Sequence, residues 1–107
     1  MKNIAVIGCG GQGGYTLDFL VRLGVKSIIF WDGDNFSESN LNRQLGCTEK
    51  TIGKNKAEVM FQYLKEINSS IDLQYRNWYF GYHQNDLQEI LSVDFIFNAA
   101  DYYINVI

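Results

Sequence analysis

Apolar and polar positions follow one another along this chain in the order expected of alternating strands and helices. Short apolar runs predict strands at residues 27–31 and 93–98, and a buried first strand at 4–7. Between the runs, apolar side chains recur at helical spacing, which is typical of amphipathic helices packed on a sheet. The predicted helices cover residues 15–23, about 54–67, and 85–91.

A less regular region lies between the second and third predicted helices. Residues 71–76 alternate apolar and polar side chains, which predicts a half-exposed edge strand. The aromatic residues at 78, 79, 80 and 82 are expected to pack in the core, with a ligand platform as the alternative. Strands that alternate with helices predict an α/β fold: a doubly wound, Rossmann-like parallel sheet of about four strands with helices on its faces.

The first predicted strand ends in five glycines within the seven residues 8–14. Glycine lets the backbone turn sharply and approach a ligand without an intervening Cβ. A strand, a glycine turn and a helix start together form an anion site, because free N–H groups and the positive helix end point at one spot. This pattern predicts a nucleotide phosphate site. It is not a Walker A motif, because Gly13 is followed by Gly14 and Tyr15 rather than Lys and Ser/Thr.

The composition of the chain argues against some classes of partner and indicates a cellular location. The 107 residues suit one domain, and the net charge of −3 without a basic run argues against nucleic acid as a partner. No apolar stretch approaches the roughly 20 residues of a membrane helix, so we expect no membrane association. No signal peptide precedes Ile4, and Cys9 and Cys47 have no metal-binding spacing. We therefore expect a cytoplasmic protein with reduced thiols.

Acidic residues follow two of the predicted strands. Asp32 lies 24 residues after Gly8, where a carboxylate can accept hydrogen bonds from the hydroxyls of a nucleotide ribose. The alternative is a solvated turn residue, because Asp-Gly is common turn chemistry. Asp101 follows the fourth strand. Since ligands of such sheets bind beyond the carboxyl ends of the strands, we expect Gly8, Asp32 and Asp101 to converge.

Five sequence elements in order identify a family resemblance. They are the glycine turn, Asp-x-Asp at 32–34, Asn-Leu-x-Arg-Gln at 40–44, Gly-x-x-Lys at 53–56, and Asp101. This chain resembles the ThiF/MoeB/HesA family, the relatives of ubiquitin-activating enzymes, from Ile4 to Asp101. The resemblance implies an adenylyltransferase that uses ATP to activate the C-terminal carboxylate of a ubiquitin-like or sulfur-carrier protein as an acyl adenylate.

The resemblance also implies roles for individual residues. The nucleotide would pack on the glycine turn, and Asp32 would hold its ribose. Because charge spreads over the phosphates during attack at the α-phosphate, it must be neutralised there. Asp101 would bind Mg²⁺. The nucleotide-binding residues would be Gly8, Gly10, Gly11, Gly13, Asp32, Asn40, Arg43 and Lys56, and the catalytic residues would be Arg43, Lys56 and Asp101.

Each role has a simpler alternative. Arg43 and Lys56 are alternatively surface charges, although a cation near a helix start is mildly unfavourable unless an anion binds there. Asn40 is alternatively a turn or cap residue, and Asp101 is alternatively the N-cap of a helix. For the whole chain, the alternatives are an NAD-binding Rossmann module and a catalytically inactive pairing subunit.

The chain also departs from the family pattern. Gln12 and Gly14 stand where Leu and Ser are common. We also expect no counterpart of an N-terminal arginine that family members give to the partner protomer. We expect residues 1–107 to be the nucleotide-binding, N-terminal part of a longer family architecture. A four-stranded open sheet exposes its edges, so we expect a homodimer or pairing with a missing C-terminal half.

Overall fold

The computed structural model describes residues 2–100 and contains one four-stranded sheet. All strand pairs are parallel, and the strand order is β3-β2-β1-β4. Because β2 lies on one side of β1 and β4 on the other, the chain changes direction across the sheet beside β1, which is the topological switch point. The predicted Rossmann-like sheet is confirmed. Its strands are β1 (Asn3–Ile7), β2 (Ser27–Trp31), β3 (Asp72–Arg76) and β4 (Phe95–Asn98).

Helices cover both faces of the sheet. They are α1 (Gly11–Leu23), α2 (Lys56–Ile67) and α3 (Asp86–Leu91). On one face, Ile4 and Val6 of β1 pack in a core with α1 and α2 that includes Leu17 and Met60. On the other face, the alternate β1 residues pack with Trp31, Phe80 and Ile90. Successive side chains of β1 therefore point to opposite faces of the sheet and pack in two separate cores.

Helices α1 and α2 begin at positions other than those that the apolar periodicity predicts. The Asn55 side chain accepts a hydrogen bond from the Glu58 N–H at 2.9 Å, so α2 begins at Lys56 rather than at the predicted position 54. Helix α1 begins at Gly11, four residues earlier than the apolar periodicity predicts. The glycine motif itself therefore forms the first turn of α1.

The aromatic run after β3 divides between core and surface. Phe80 is buried and its ring meets that of Trp31 edge to face, with centroids 5.1 Å apart. Tyr79 is 43% exposed and Tyr82 is 77% exposed. The prediction of core packing is therefore wrong for the two tyrosines, because the loop turns at Gly81, whose φ is +96°, and carries them outward.

The two edges of the sheet differ in how well they are covered. Edge strand β3 is half exposed, as its alternating pattern predicts. Strand β4 exposes Phe95, Ile96 and Phe97 to solvent. Among residues 2–100, no helix is long and apolar enough to cross a membrane.

Candidate functional site

A cavity of about 300 Å³ lies at the carboxyl ends of β1 and β2, beside the first residues of α1 and α2. This is the switch point at which open parallel sheets bind their ligands. Its lining combines glycine backbone, two carboxylates and two cations. The lining residues are Gly8, Gly10, Gly11, Gln12, Asp32, Asp34, Arg43, Gln44, Lys56, Ala99 and Ala100.

The glycine turn has its shape because no side chain fits inside it. Gly8 has a φ of +92°, and a Cβ there would lie 3.0 Å from the backbone of Ala99 and Ala100. A Cβ on Gly13 would lie 1.8 Å from the Gly8 carbonyl oxygen. The first turn of α1 is therefore in contact with the strand end, which directs the free N–H groups of the helix start toward the cavity.

Asp32 links the glycine turn to the end of β2. Its Oδ2 accepts a hydrogen bond from the Cys9 N–H at 2.9 Å, and its Oδ1 accepts one from the Asp34 N–H at 2.8 Å. The residue is only 5% exposed, and burial raises the pKa of its carboxyl, while the two backbone N–H groups oppose that rise. A carboxylate has about four acceptor positions, so Asp32 keeps capacity for ligand hydroxyls.

Lys56 is a buried cation at the start of α2. It is 8% exposed, its backbone N–H donates to the Asp34 carbonyl at 2.9 Å, and its Nζ lies 5.7 Å from the centre of the Phe36 ring. Within residues 2–100, no carboxylate oxygen lies within 4 Å of Lys56 Nζ. A lysine with little exposure, at the positive end of a helix and without an ion-pair partner, is electrostatically unfavourable unless an anion binds beside it.

Arg43 provides a second cation from the loop between β2 and α2. Its Nη1 donates to the Ser39 carbonyl oxygen at 2.9 Å, which leaves the rest of the guanidinium available to a ligand. A planar guanidinium can pair with phosphate oxygens through two hydrogen bonds, whereas Lys56 acts as a point charge. Both cations line the same cavity.

Gln44 contributes an unpartnered acceptor. Its Oε1 is buried, and within the described part of the chain it has no hydrogen-bond partner. The side chain lies against the glycine turn, because a Cβ on Gly10 would be 3.2 Å from Gln44 Nε2. A buried acceptor without a partner costs about 1–3 kcal/mol, which a bound ligand or water that donates a hydrogen bond would recover.

Two of the predicted site residues, Asn40 and Gly13, are not among the residues that line this cavity. The Asn40 side chain is buried, and its Oδ1 accepts from the Ser37 N–H at 2.9 Å and from the Ser37 hydroxyl at 3.1 Å. It caps the 3₁₀ turn Glu38–Asn40, as the alternative interpretation of Asn40 predicts. Gly13 packs behind the turn. Asp101, the predicted metal ligand, lies outside the described residues.

Three residues that line the cavity are absent from the predicted site, namely Gln12, Asp34 and Gln44. A signal existed for two of them. Asp34 is the second acid of Asp-x-Asp, and Gln44 closes the Asn-Leu-x-Arg-Gln motif. Gln12 lies between Gly11 and Gly13, and the spacing of the glycines indicates no role for the side chain between them.

A larger cleft, of about 640 Å³, lies between α2 and the loop before it. Among the described residues that line it, Lys54 is the only cation and Gly46 the only glycine. The cleft therefore lacks the combination of backbone N–H groups and converging cations that favours phosphate. The smaller cavity is the better candidate for nucleotide chemistry.

Comparison with known proteins supports the assignment of this fold to one family. The family model described as "ThiF family" matches residues 1–105. The adenylyltransferase and sulfurtransferase MOCS3 of Aedes aegypti is 33% identical over 100 residues, which cover 94% of this chain and 23% of MOCS3. The tRNA threonylcarbamoyladenosine dehydratase of Haemophilus influenzae is 42% identical over 66 residues, which cover 62% of this chain and 25% of the dehydratase.

A solved structure gives the same result. The crystal structure of Escherichia coli MccB with ATP aligns with a TM-score of 0.82 and 31% identity, over 94% of this chain and 30% of MccB. The chain thus spans less than a third of the length of each of these three relatives. Because the family model covers nearly the whole sequence, the chain belongs to the ThiF family.

Proposed function

We propose that this chain supplies the ATP site of an adenylyltransferase. The reaction is the ATP-dependent adenylylation of the C-terminal carboxylate of a ubiquitin-like or sulfur-carrier protein. The observation that carries the proposal is the buried Lys56, which has no ion-pair partner among residues 2–100 and lines one cavity with Arg43 and the glycine turn. Two relatives are consistent with it, since MccB was crystallised with ATP and MOCS3 is named an adenylyltransferase.

Different residues of the cavity would bind the triphosphate and the ribose of the nucleotide. The N–H groups at the start of α1, with Arg43 and Lys56, would bind the triphosphate, and Asp32 would accept hydrogen bonds from the ribose. The carrier carboxylate would attack the α-phosphorus, the bond from that phosphorus to the bridging oxygen would break, and pyrophosphate would leave. Arg43 and Lys56 would stabilise the charge that develops on the phosphate oxygens.

The donor set also fits a metal-bound nucleotide. Two carboxylates, Asp32 and Asp34, line the same cavity as the two cations. Gln44 Oε1, which has no hydrogen-bond partner among residues 2–100, can accept a hydrogen bond from metal-bound water. We propose Asp101 as the Mg²⁺ ligand, because it comes three residues after Asn98 in the sequence, and Asn98 ends β4. Bound Mg²⁺ would shield the phosphates from the approaching carboxylate.

Two other functions use the same fold. An NAD-binding Rossmann module needs the glycine turn and Asp32, but it does not need two cations for a triphosphate. An inactive pairing subunit needs neither. The position of Arg43 and Lys56 on the cavity therefore favours ATP over both alternatives.

The proposal also extends to location and assembly. Cys9 and Cys47 are both buried free thiols, which is consistent with the reducing cytoplasm that we propose. Apolar side chains exposed on α1 and β4 support association through that side of the molecule. We propose that a second copy of the chain, or the remaining part of the family fold, covers them.

Substitution of Lys56 tests the proposed clamp. In Lys56→Ala, we expect ATP to bind about tenfold more weakly or worse, because a charge-assisted hydrogen bond to phosphate is lost. AMP lacks the β- and γ-phosphates, so its affinity should change much less. Titration calorimetry with both nucleotides measures the difference.

Lys54→Ala is the matched control, because Lys54 is exposed, lies two residues away and lines the other cleft. It should leave both affinities unchanged. Equal losses of ATP and AMP affinity in Lys56→Ala would rule out a triphosphate clamp.

A further inference from the structure

The turn Asp32-Gly33-Asp34, hereafter the acidic turn, is held on one side by the start of α2. The Asn55 Nδ2 donates to the Asp32 carbonyl oxygen at 2.9 Å. The Lys56 N–H donates to the Asp34 carbonyl oxygen, also at 2.9 Å. These bonds fix the backbone of the acidic turn, but neither contacts the Asp34 side chain.

Tyr79 holds the acidic turn from the opposite side. Its hydroxyl donates a hydrogen bond to Asp34 Oδ1. Its ring packs on Gly33, where an added Cβ would lie 2.7 Å from Tyr79 Cδ2. Gly33 is therefore a site of close approach between the acidic turn and the loop after β3, and Tyr79 is the side chain that joins them.

The loop that carries Tyr79 is anchored at its far side by Asp86. The Asp86 carboxylate is buried and accepts hydrogen bonds from the Trp78 indole at 3.1 Å and from the Gly81 N–H at 2.9 Å. These two donors lie on either side of Tyr79 in sequence. The position of the tyrosine ring is thereby determined by bonds that do not depend on the acidic turn.

The contact between Tyr79 and Asp34 lies at the surface, beside the cavity that Asp34 lines, rather than in a core. Tyr79 is 43% exposed, and the partly exposed Asp34 lines the cavity. The Asp34 N–H is one of two backbone donors to the Asp32 carboxylate, at 2.8 Å. A contact that fixes Asp34 therefore also fixes the Asp34 N–H, which orients the Asp32 carboxylate.

We propose that Tyr79 is a positioning residue for the nucleoside end of the ligand. Its hydroxyl bond to Asp34 fixes the acidic turn and so presents the Asp32 carboxylate to the ribose. This role rests on the proposed function, because it assumes a ribose beside Asp32. It assigns Tyr79 no contact with the phosphates, whose binding groups lie on the glycine turn, Arg43 and Lys56.

The test compares a ligand with a nucleoside and one without. Tyr79→Phe removes the hydroxyl bond and keeps the ring on Gly33. We expect this variant to bind ATP about fivefold more weakly, because one hydrogen bond that orients the acidic turn is lost. Inorganic tripolyphosphate, which has no ribose, should bind as it does to the wild-type chain. Titration calorimetry of each ligand gives the ratio of affinities, which a general loss of stability would not change.

Tyr82→Phe is the matched control, because Tyr82 lies in the same loop, is 77% exposed, and touches the His83 ring rather than the acidic turn. It should change neither affinity. Unchanged ATP binding in Tyr79→Phe, or an equal loss for both ligands, would overturn the positioning role alone. A wild-type chain that binds no ATP would overturn the proposed function and this role with it.

Discussion

At the scale of single residues, Asp32 has an unusual environment for a carboxylate. It is buried at the end of β2, and two backbone N–H groups, from Cys9 and Asp34, donate to it. Burial raises its pKa, and the negative charge of Asp34 acts in the same direction, while Lys56 acts against it. A buried carboxylate with a raised pKa, in a cavity that it shares with Lys56, is typical of a ligand-binding site.

The raised pKa of Asp32 predicts a pH dependence of stability. The folded chain holds the Asp32 proton more tightly than the unfolded chain, in which an Asp titrates near pH 3.9. As pH rises from about 4 through the raised pKa, this group should lower the free energy of unfolding. In Asp32→Asn, that part of the decline should be absent.

Denaturant unfolding of both proteins from about pH 4 to 7 measures this effect. The lost hydrogen bonds should shift the Asp32→Asn curve by a constant amount, so only the slope is informative. A wild-type chain that gains stability relative to Asp32→Asn as pH rises would contradict the raised pKa.

The sequence allowed part of the site to be predicted at this scale. Gly8 and Asp32 lie on one cavity because parallel strands end at the same edge of the sheet. The capping bond between Asn40 and Ser37 depends on how the loop folds, and the motif alone does not specify it. The closeness of Tyr79 to Gly33 depends on two loops that are 46 residues apart in sequence, so no local pattern indicates it.

At the scale of elements, the Asp86 carboxylate joins α3, the loop after β3, and β2. It accepts hydrogen bonds from the Trp31 indole at 3.1 Å, the Trp78 indole at 3.1 Å, the Gly81 N–H at 2.9 Å and the His83 N–H at 3.2 Å. The Trp31 indole is buried, so its N–H would be costly without an acceptor. This carboxylate therefore fixes the loop that reaches the acidic turn.

Asp86→Asn should destabilise the chain by about 2 kcal/mol or more, because an amide N–H₂ would face groups that are themselves donors. The chain has two tryptophans, Trp31 and Trp78, and both indoles donate to Asp86. Tryptophan emission during denaturant unfolding therefore reports directly on this cluster.

Asp72→Asn is the control for Asp86→Asn, because Asp72 is exposed at the start of β3. It should change the free energy of unfolding by less than about 0.5 kcal/mol. Equal stability of the two variants would show that Asp86 does not hold the loop.

The order and type of the elements and the bounds of β2 could be predicted from apolar periodicity, whereas the start of α1 could not. Glycine has a low helix propensity, so the glycine motif suggests a turn. In the structure α1 includes Gly13, where a Cβ would lie 1.8 Å from the Gly8 carbonyl oxygen, so this position needs glycine despite its low propensity. The run of aromatic residues after β3 gave no signal for which rings face outward, since Asp86 and Gly81 determine that arrangement.

At the scale of the whole molecule, exposed apolar side chains collect on one side of the sheet. Tyr15, Phe19 and Leu23 follow one another at helical spacing on α1 and are all exposed. Phe95 pairs with Ile4, and Phe97 pairs with Val6, in the parallel ladder. The two phenylalanines therefore lie on the same sheet face as α1. This surface supports the association that we propose, which the exposed edge of an open sheet also predicts.

We expect Phe19→Glu to weaken the proposed association. Phe19 is 64% exposed, so the substitution should cost little stability while it places a charge on the apolar surface. Light scattering of the wild-type chain should give a mass above 12.3 kDa, and Phe19→Glu should return it toward that value. Leu91→Glu, on α3 at the opposite face, should leave the mass unchanged. A wild-type mass of one chain would contradict self-association.

The central claim is that the cavity beside the glycine turn is built for the triphosphate of ATP. The most direct measurement is the thermal stabilisation of the wild-type chain by ATP with Mg²⁺, beside NAD and AMP. A ligand at about 100 times its Kd adds roughly 2.7 kcal/mol to the free energy of unfolding. We predict a clear shift with ATP and Mg²⁺, a smaller one with AMP at the same concentration, and none with NAD. Stabilisation by NAD alone would contradict the claim and favour a dinucleotide-binding module.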